Sequence, residues 1–485
     1  MKIKMILPAL IDETNENWRK IGYYRFPPLG LATLAGYLDP DDDVTIEDEH
    51  VQELNLDDRP DLVVIQTYIT NAFRAYAIAD AYRKKSVHVV MGGLHVTALP
   101  DEAARHADTI CLGPGEDIWP VFLKDFRAGH PQKKYQSCHR TLVGAPRIRR
   151  DLFKKDLYLT PNSIVVSRGC PHRCDFCYKN NFYQGGRSFY TMRVDAALEE
   201  IESLEGKHLF FLDDNLFGDP RFASDLFKGM RPMKKAWQAA GTVHAILNTD
   251  LVEKAAACGL RSLFVGFETL SASNLKAYNK HQNLNRDYVA AIHKLHSLGV
   301  MVNASFVFGM DNDDESVFKR TVDWAIKNSV ETSSFHILTP YPGTTLYTQL
   351  EKQNRLLHKN WKLYDAKHAV FQPSKMSPER LDQGLIDAHD NFYKWRSIFK
   401  GALKQDSLPK AIRQIAYTGG WKKIDPVWDI VIQKKMLKYM LPLLELILND
   451  FNPNFLFKRL RNMLPNDLPQ RQEARPIGTH PASLS

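Results

Sequence analysis

Short apolar runs alternate with amphipathic helical stretches along most of this 485-residue chain, the pattern of a parallel sheet covered by helices. In residues 1–125 the apolar runs are Ile3–Leu7, Val44–Ile46, Leu62–Gln66, Val87–Met91 and Thr109–Leu112. Helical spacing falls between them at Gly30–Leu38, entered through Pro27-Pro28, and at the alanine-rich Ala72–Lys84. Residues 126–160 are basic, contain prolines and lack periodicity, which predicts a linker. The alternation resumes in residues 161–374, with strands predicted at Ile164–Ser167, Leu209–Leu212, Gly241–Ile246, Ser262–Gly266, Met301–Phe308 and Thr332–Leu338. The intervening helices are Val194–Leu204, Phe222–Met230, Thr249–Cys258, Arg286–Leu298 and Asp314–Asn328. Six such units fit a partial (β/α)6 barrel rather than a closed eight-stranded one. Residues 375–463 read as helices, with Met376-Ser-Pro-Glu379 as a cap and one continuous helix over Leu381–Lys404. Residues 464–485 carry prolines and little apolar content, and predict a disordered tail. The fold class is therefore α/β: an N-terminal doubly wound parallel sheet, then a partial barrel, then a helical C-terminal region.

Composition refines this picture in three places. The apolar and charged fractions, 44% and 25%, are those of a soluble globular protein with more than one core. Of the net charge of +8, the imbalance lies in residues 391–463, with fourteen Lys and Arg against five Asp and Glu. That region includes the apolar Val427–Leu448, interrupted by Lys434, Lys435, Lys438 and Pro442. Its most apolar part, Met440–Leu448, is less than half of the roughly 20 residues that a bilayer crossing needs. Such a basic helix either lies on an anionic membrane surface, a peripheral contact, or packs on the barrel with its lysines in solvent. The N-terminal Met1–Asp12 lacks the long apolar core and small-residue cleavage site of a signal peptide, and reads as a first buried strand. Six cysteines, three of them scattered (Cys111, Cys138, Cys258), argue against a disulfide framework and for a reducing, cytoplasmic setting.

The other three cysteines lie in Ser167-Arg-Gly-Cys170-Pro-His-Arg-Cys174-Asp-Phe-Cys177-Tyr178, spaced C-x3-C-x2-C behind the apolar Ile164-Val165-Val166. Gly169 and Pro171 enforce a turn, so a strand ends in a loop that converges three soft ligands. Zinc would want a fourth Cys or His nearby, and His172, between the first two cysteines, is badly placed to close a tetrahedron with them. An iron–sulfur cubane held by three cysteines keeps one iron open. The spacing, the aromatic Phe176 before the last cysteine and the preceding strand resemble the radical S-adenosylmethionine (SAM) enzymes. That resemblance implies a [4Fe-4S] cluster on Cys170, Cys174 and Cys177, with SAM chelated on the open iron. It further implies reductive cleavage to methionine and a 5′-deoxyadenosyl radical that abstracts hydrogen from substrate, and a reducing partner such as a flavodoxin or ferredoxin.

The same resemblance implies SAM contacts at the strand ends. Asp213 or Asp214 would meet the SAM amino group, although one of the two also suits a helix N-cap. Glu268, a carboxylate ending an apolar strand, would accept from the ribose. Asn303 and Ser305 share one face of their strand and would contact SAM if that face is the barrel interior. Phe308-Gly309-Met310 resembles the family's glycine motif near adenine, and Tyr341 would flank adenine or substrate.

In the N-terminal third, Arg25-Phe-Pro-Pro-Leu-Gly-Leu-Ala-Thr-Leu-Ala-Gly-Tyr-Leu38, Gly92-Gly93-Leu-His95 with Pro100, and Gly113-Pro-Gly-Glu116 resemble the cobalamin-binding domain that precedes many radical SAM cores. Thr67, Gly92, Gly93, Gly113 and Glu116 follow strand ends, where a doubly wound sheet binds its ligand. Many cobalamin proteins supply a histidine after the first strand. Ile11–Lys20 has none, and Asp48-Glu-His50 lacks the accompanying glycine and reads as a surface turn. Either cobalamin is held without a protein imidazole or the domain has kept the fold without the cofactor. The resemblance implies methylation of an unactivated carbon of a small-molecule or lipid substrate; relatives that close or rearrange rings are the alternative. A non-catalytic metal scaffold and a nucleic-acid-binding protein are rivals from other classes. RNA methylthiotransferases carry a second cysteine trio in the N-terminal domain, where only Cys111 is found, so no nucleic-acid partner is expected.

Overall fold

A computed structural model describes residues 1–9 and 26–420. The first sheet comprises β1 (Lys2–Leu7), β2 (Asp43–Asp48), β3 (Leu62–Gln66), β4 (His88–Gly92), β5 (Thr109–Leu112) and β6 (Lys134–Gln136). Every pairing is parallel, in the order β2-β1-β3-β4-β5-β6. Its strands read as continuous apolar runs because both faces are covered. Met5, Leu62 and Val64 pack on one side, and Ile6, Val63 and Ile65 on the other. The helix Trp119–Arg127 and β6 cross the boundary expected at residue 125, so the first unit takes in part of the expected linker. Asp48, Glu49 and His50 are buried rather than a surface turn: His50 Nδ1 lies 2.8 Å from Asp48 Oδ1, and Glu49 pairs with Arg74.

The second unit begins with β7 (Ser163–Ile164), followed by a hairpin of β8 (Ser167–Gly169) and β9 (Phe189–Thr191). The other strands are β10 (His208–Phe211), β11 (Ala236–Gly241), β12 (Leu260–Glu268), β13 (Met301–Phe308) and β14 (Thr332–Ile337). They form a parallel sheet in the order β14-β13-β12-β11-β10-β7. Among the described residues its two edges do not pair, so the barrel is open on one side. Alternate residues divide the two faces. Leu263, Val265, Phe267, Val302, Ala304 and Phe306 are buried in the shared core beneath the helices. Gln238, Phe264 and Asn303 line a cavity of about 220 Å³ on the opposite, inner face.

Three predicted elements differ. The strand expected at Gly241–Ile246 lies at Ala236–Gly241, and Val243–Asn248 is a helix capped by Thr242, whose Oγ1 accepts from the Ala245 N–H at 3.2 Å. An apolar run as short as Val243–Leu247 has no period that separates strand from buried helix. The strand expected at Ile164–Ser167 breaks after Ile164, because the Asp213 carboxylate takes the N–H groups of Val166 and Ser167. Leu381–Lys404 is split into helices Pro378–Phe392 and Trp395–Ala402. Between them the Tyr393 hydroxyl accepts from the Ser333 N–H at 3.0 Å and donates to the Ser333 carbonyl at 2.8 Å, covering the edge of β14. Expectations for Ile11–Lys20, Val427–Leu448 and residues 464–485 fall outside the described residues.

Tyr393→Phe leaves both buried backbone groups of Ser333 without this partner. It is expected to lower the unfolding free energy by about 1–3 kcal/mol, read from urea denaturation, without changing iron content.

Candidate functional site

The cysteine loop is shaped before any cofactor enters. Gly169 has φ +78°, and a Cβ there would lie 2.0 Å from the Ser188 carbonyl oxygen, so no other residue fits. The Cys170 N–H donates to that same carbonyl at 3.0 Å. Further along, Cys177 N and Asn180 Nδ2 donate to the Cys174 carbonyl at 3.0 and 2.9 Å. Asp175 N bonds the Tyr278 carbonyl and Leu346 N bonds the Asp175 carbonyl, which pins the loop to the barrel.

Two side-chain amides face the sulfurs: Gln282 Nε2 lies 3.3 Å from Cys174 Sγ, and Asn215 Nδ2 lies 3.9 Å from Cys170 Sγ. Burial pushes all three thiols above their ordinary range, with Lys280 opposing this at Cys174 and Lys179 at Cys177. Both lysines are themselves nearly buried and paired, Lys179 with Asp214 at 2.8 Å and Lys280 with Glu268 at 2.7 Å. Burial alone would lower the Lys179 ammonium, but Asp214 and the Cys177 thiol outweigh it and hold the group at about 12.

This donor set fits an iron–sulfur cluster. It offers three soft ligands in a dry loop, amide donors to sulfur, and two fixed cations to balance an anionic group. The oxygen of Asn215 is buried without a partner beside Cys170. Among the described residues no three His, Cys, Asp or Glu side chains are placed to hold one metal ion. A cubane puts its thiolates on separate irons and so spaces them more widely than a single ion does.

The structure sorts the residues expected to contact SAM. Phe176 packs against the barrel core, with the Lys280 ammonium 5.9 Å from its ring centroid. Glu268 ends β12 at a shift in register and has φ +63°, a conformation costing a non-glycine residue about 1–3 kcal/mol. Its carboxylate fills space that Gly266 leaves open and is held by Lys280. Asp214 stands beside the cluster loop through Lys179. Asp213 is instead committed to the protein's own backbone. It is 2% exposed and accepts from Ser167 N and Ser167 Oγ, each at 2.5 Å, and from Val166 N at 3.2 Å. Burial still pushes its carboxyl up to about 6. Asn303 is on the inner face but near the start of β13, away from the carboxyl ends. Its amide donates to Ser262 Oγ at 2.8 Å and its oxygen accepts from Thr332, so it is corrected from a SAM contact to a strand tie. Ser305 lies on the same face one step nearer those ends, between Gly266 and Ser334. The N–H groups of Gly309 and Met310 close a turn on Asp313 at 3.1 Å each. Tyr341 meets Tyr178 edge-on, with ring centroids 6.3 Å apart.

The carboxyl ends of the first sheet face the strand that leads to the cysteine loop across a cavity of about 430 Å³, lined by Gly92, Gly93, Gly113, Glu116, Arg168 and Leu212 among others. Gly93 has φ +118°, and a Cβ there would come within 2.6 Å of the Thr67 carbonyl. Gly113, with φ +80°, donates its N–H to Thr97 Oγ1 at 2.9 Å. Thr67 Oγ1 and Gln66 Oε1 are buried without partners. Of these two, Gln66 lines the cavity, and bare glycine backbone beside its unspent oxygen on an apolar wall suits part of a large, amide-rich cofactor such as cobalamin. Across this cavity Arg168 Nε reaches Glu116 Oε1 at 2.8 Å.

Sequence reading missed Lys179, Lys280, Asn215, Gln282 and Arg168. Lys179 and Arg168, each two residues from a cysteine of the trio, and Asn215, next to Asp214, had a positional signal; Lys280 and Gln282 come from a distant loop and had none.

Comparisons agree with this geometry. Residues 164–325 match the Radical SAM superfamily, and residues 22–123 match the B12 binding domain. Bacteriochlorophyllide d C-12(1)-methyltransferase of Chlorobaculum tepidum is 30% identical over 388 residues, 77% of this chain and 84% of that protein. The structure of the radical S-adenosylmethionine methyltransferase TsrM from Kitasatospora setae, with cobalamin and a [4Fe-4S] cluster bound, superposes with TM-score 0.59 at 16% identity. That match covers 73% of this chain and 78% of TsrM. The cobalamin-dependent S-adenosylmethionine radical enzyme OxsB, with aqua-cobalamin bound, superposes with TM-score 0.62 at 13% identity, over 96% of this chain and 81% of that one.

Gly169→Ala forces the Ser188 carbonyl away and takes Cys170 with it. Anaerobically reconstituted variant is expected to hold well under half of the wild-type iron and acid-labile sulfide, by metal and sulfide analysis, while its far-UV circular dichroism is unchanged.

Proposed function

The chain belongs to the radical SAM enzymes that carry a B12-binding domain, and we propose that it methylates an unactivated carbon of a large tetrapyrrole-like substrate. The observation that carries this reading is the meeting of two prepared sites across one cavity: the glycine loops of the first sheet on one wall, and the strand leading to the three cysteines on the other. The substrate class rests on the 30% identity to a bacteriochlorophyllide methyltransferase.

When bound, the cluster supplies the electron that cleaves SAM, and cobalamin carries the methyl group to be transferred. The rest is the work of this chain's residues. Cys170, Cys174 and Cys177 bind the irons, and the amides of Asn215 and Gln282 stabilise the thiolates nearest to them. Lys179 and Lys280, each paired with a carboxylate, place the positive end of an ion pair beside the sulfurs and so favour their thiolate form. The strained Glu268, at the carboxyl end of β12 with its carboxylate against Gly266 and Lys280, orients SAM together with Lys280. Gly92, Gly93 and Gly113 cradle cobalamin through backbone contact, without a protein imidazole, while the fully buried Thr67 stands behind Gly93 and holds that loop in place.

No helix among the described residues is long and apolar enough to cross a membrane. Contact is instead peripheral. Trp395, Phe399 and Leu403 repeat every four residues and are exposed, as are Leu408 and Ile412 on the following helix. Lys394, Arg396, Lys400 and Lys404 flank them. An apolar stripe bordered by lysines suits an anionic bilayer surface, the place to meet a lipid-soluble pigment. A small acidic flavodoxin or ferredoxin supplies the electron.

Anaerobic protein reconstituted with iron, sulfide and hydroxocobalamin, then given SAM, a reductant and a chlorophyllide-type substrate, is expected to yield 5′-deoxyadenosine, S-adenosylhomocysteine and a product 14 Da heavier (one methylene, about 14 from elementary masses). 5′-Deoxyadenosine without S-adenosylhomocysteine or that mass gain would overturn methyl transfer. The membrane proposal predicts flotation with anionic vesicles but not neutral ones, lost in Trp395→Glu/Phe399→Glu; equal flotation of that variant would contradict it.

A further inference from the structure

We propose that the Glu116–Arg168 ion pair is a positioning element that couples the two cofactor sites, so that filling either one changes how tightly the other is held. The inference rests on the two-cofactor reading above and extends it to communication between the sites.

Glu116 closes the Gly113-Pro-Gly-Glu116 loop and lines the 430 Å³ cavity of the first domain. Arg168, from the second domain, lines the same cavity and lies two residues before Cys170. Their 2.8 Å contact is largely dry, with side-chain exposures of 18% for Arg168 and 9% for Glu116. The surrounding groups are mostly tyrosines: Tyr183 and Tyr190 beside Arg168, and Tyr37, with Asp117 further off, beside Glu116. In such a setting each charge depends mainly on the other, because little water reaches either one to replace a lost partner.

Arg168 also has little freedom to adjust without moving the cysteine loop. Its backbone is paired to Tyr190 in the β8–β9 hairpin, Gly169 is trapped under the Ser188 carbonyl, and the Cys170 N–H bonds that carbonyl at 3.0 Å. A second clamp holds the far side of the loop: Arg140 Nη1 donates to the Arg187 carbonyl at 3.0 Å and Arg140 Nη2 to the Gln184 carbonyl at 2.7 Å. A ligand that shifts the Gly113–Glu116 loop therefore moves the Arg168 guanidinium, and the hairpin carries that displacement to Cys170. Thermodynamic linkage makes the effect reciprocal.

A pair that only glues two domains together would not produce linkage, so linkage is the quantity to measure. In the full-length protein, hydroxocobalamin affinity is determined by equilibrium dialysis with the cluster absent and with it reconstituted. The wild type is expected to show a ratio of about tenfold between the two forms, within the range usual for coupled sites. In Glu116→Gln and in Arg168→Met both cofactors are expected to bind, with the ratio near one, and the double variant to show no further change. Arg168→Lys keeps the charge and is expected to retain a ratio above that of Arg168→Met. The same series is followed by the electron paramagnetic resonance line shape of the reduced cluster with and without hydroxocobalamin. A wild-type ratio of one, a wild-type ratio preserved in Glu116→Gln, or equal ratios in the Lys and Met variants would each overturn the proposal. Failure of the wild type to bind hydroxocobalamin at all would instead refute the two-cofactor reading on which it rests.

Discussion

Three thiols have to be carried out of an apolar strand and held together in a dry loop, and much of the site's architecture follows from that requirement. The strand cannot simply continue, because its N–H groups would pair along the ladder and carry the chain past the barrel mouth. Asp213 ends it by taking the N–H groups of Val166 and Ser167. Gly169 then turns under the Ser188 carbonyl in a conformation that a side chain would prevent. A carboxylate expected to bind the co-substrate is thus used to shape the entry to the cysteine loop.

Charge is managed in the same economical way. Each cation beside the sulfurs has a carboxylate partner, Lys179 with Asp214 and Lys280 with Glu268, so the loop is electrostatically defined before a cluster fills it. Burial raises the thiols of the empty loop, and metal binding, which requires thiolates, must overcome that cost. Glu268 holds a left-handed backbone conformation at the end of an otherwise regular strand, which is where stored strain commonly accompanies ligand contact. A further ion pair, Arg168 with Glu116, bridges to the first domain, whose sheet shares no strand with the barrel sheet.

Much of this was legible in the sequence because periodicity and cysteine spacing are local. The α/β class, five strands of the first sheet and five of the six barrel strands were readable from apolar runs, and the cysteine trio from its spacing. The reading failed where tertiary contacts decide. Ala236–Gly241 is a strand of small residues with little apolar signal, while the neighbouring Val243–Leu247 is apolar yet helical. Tyr393 splits a helix that its own spacing would continue. Asp213 and Asn303 have the right residue types at plausible positions, but their hydrogen-bond partners lie 46 and 41 residues away and no pattern announces them. Glu116 is readable from its place after a strand end and Arg168 stands beside the cysteine motif, but nothing in the sequence pairs these two residues 52 apart; the pair exists only where the two domains meet.

The claim on which the account depends is that three cysteines alone hold a cubane and leave one iron free for SAM. The direct measurement is electron paramagnetic resonance of anaerobically prepared, reduced protein before and after addition of SAM, paired with Mössbauer spectroscopy of the oxidised state. The account predicts a [4Fe-4S]⁺ signal whose g-values shift when SAM is added, and one iron whose Mössbauer parameters change with it. A protein without a cubane, or a cubane whose spectra ignore SAM because the polypeptide supplies a fourth ligand, would contradict it.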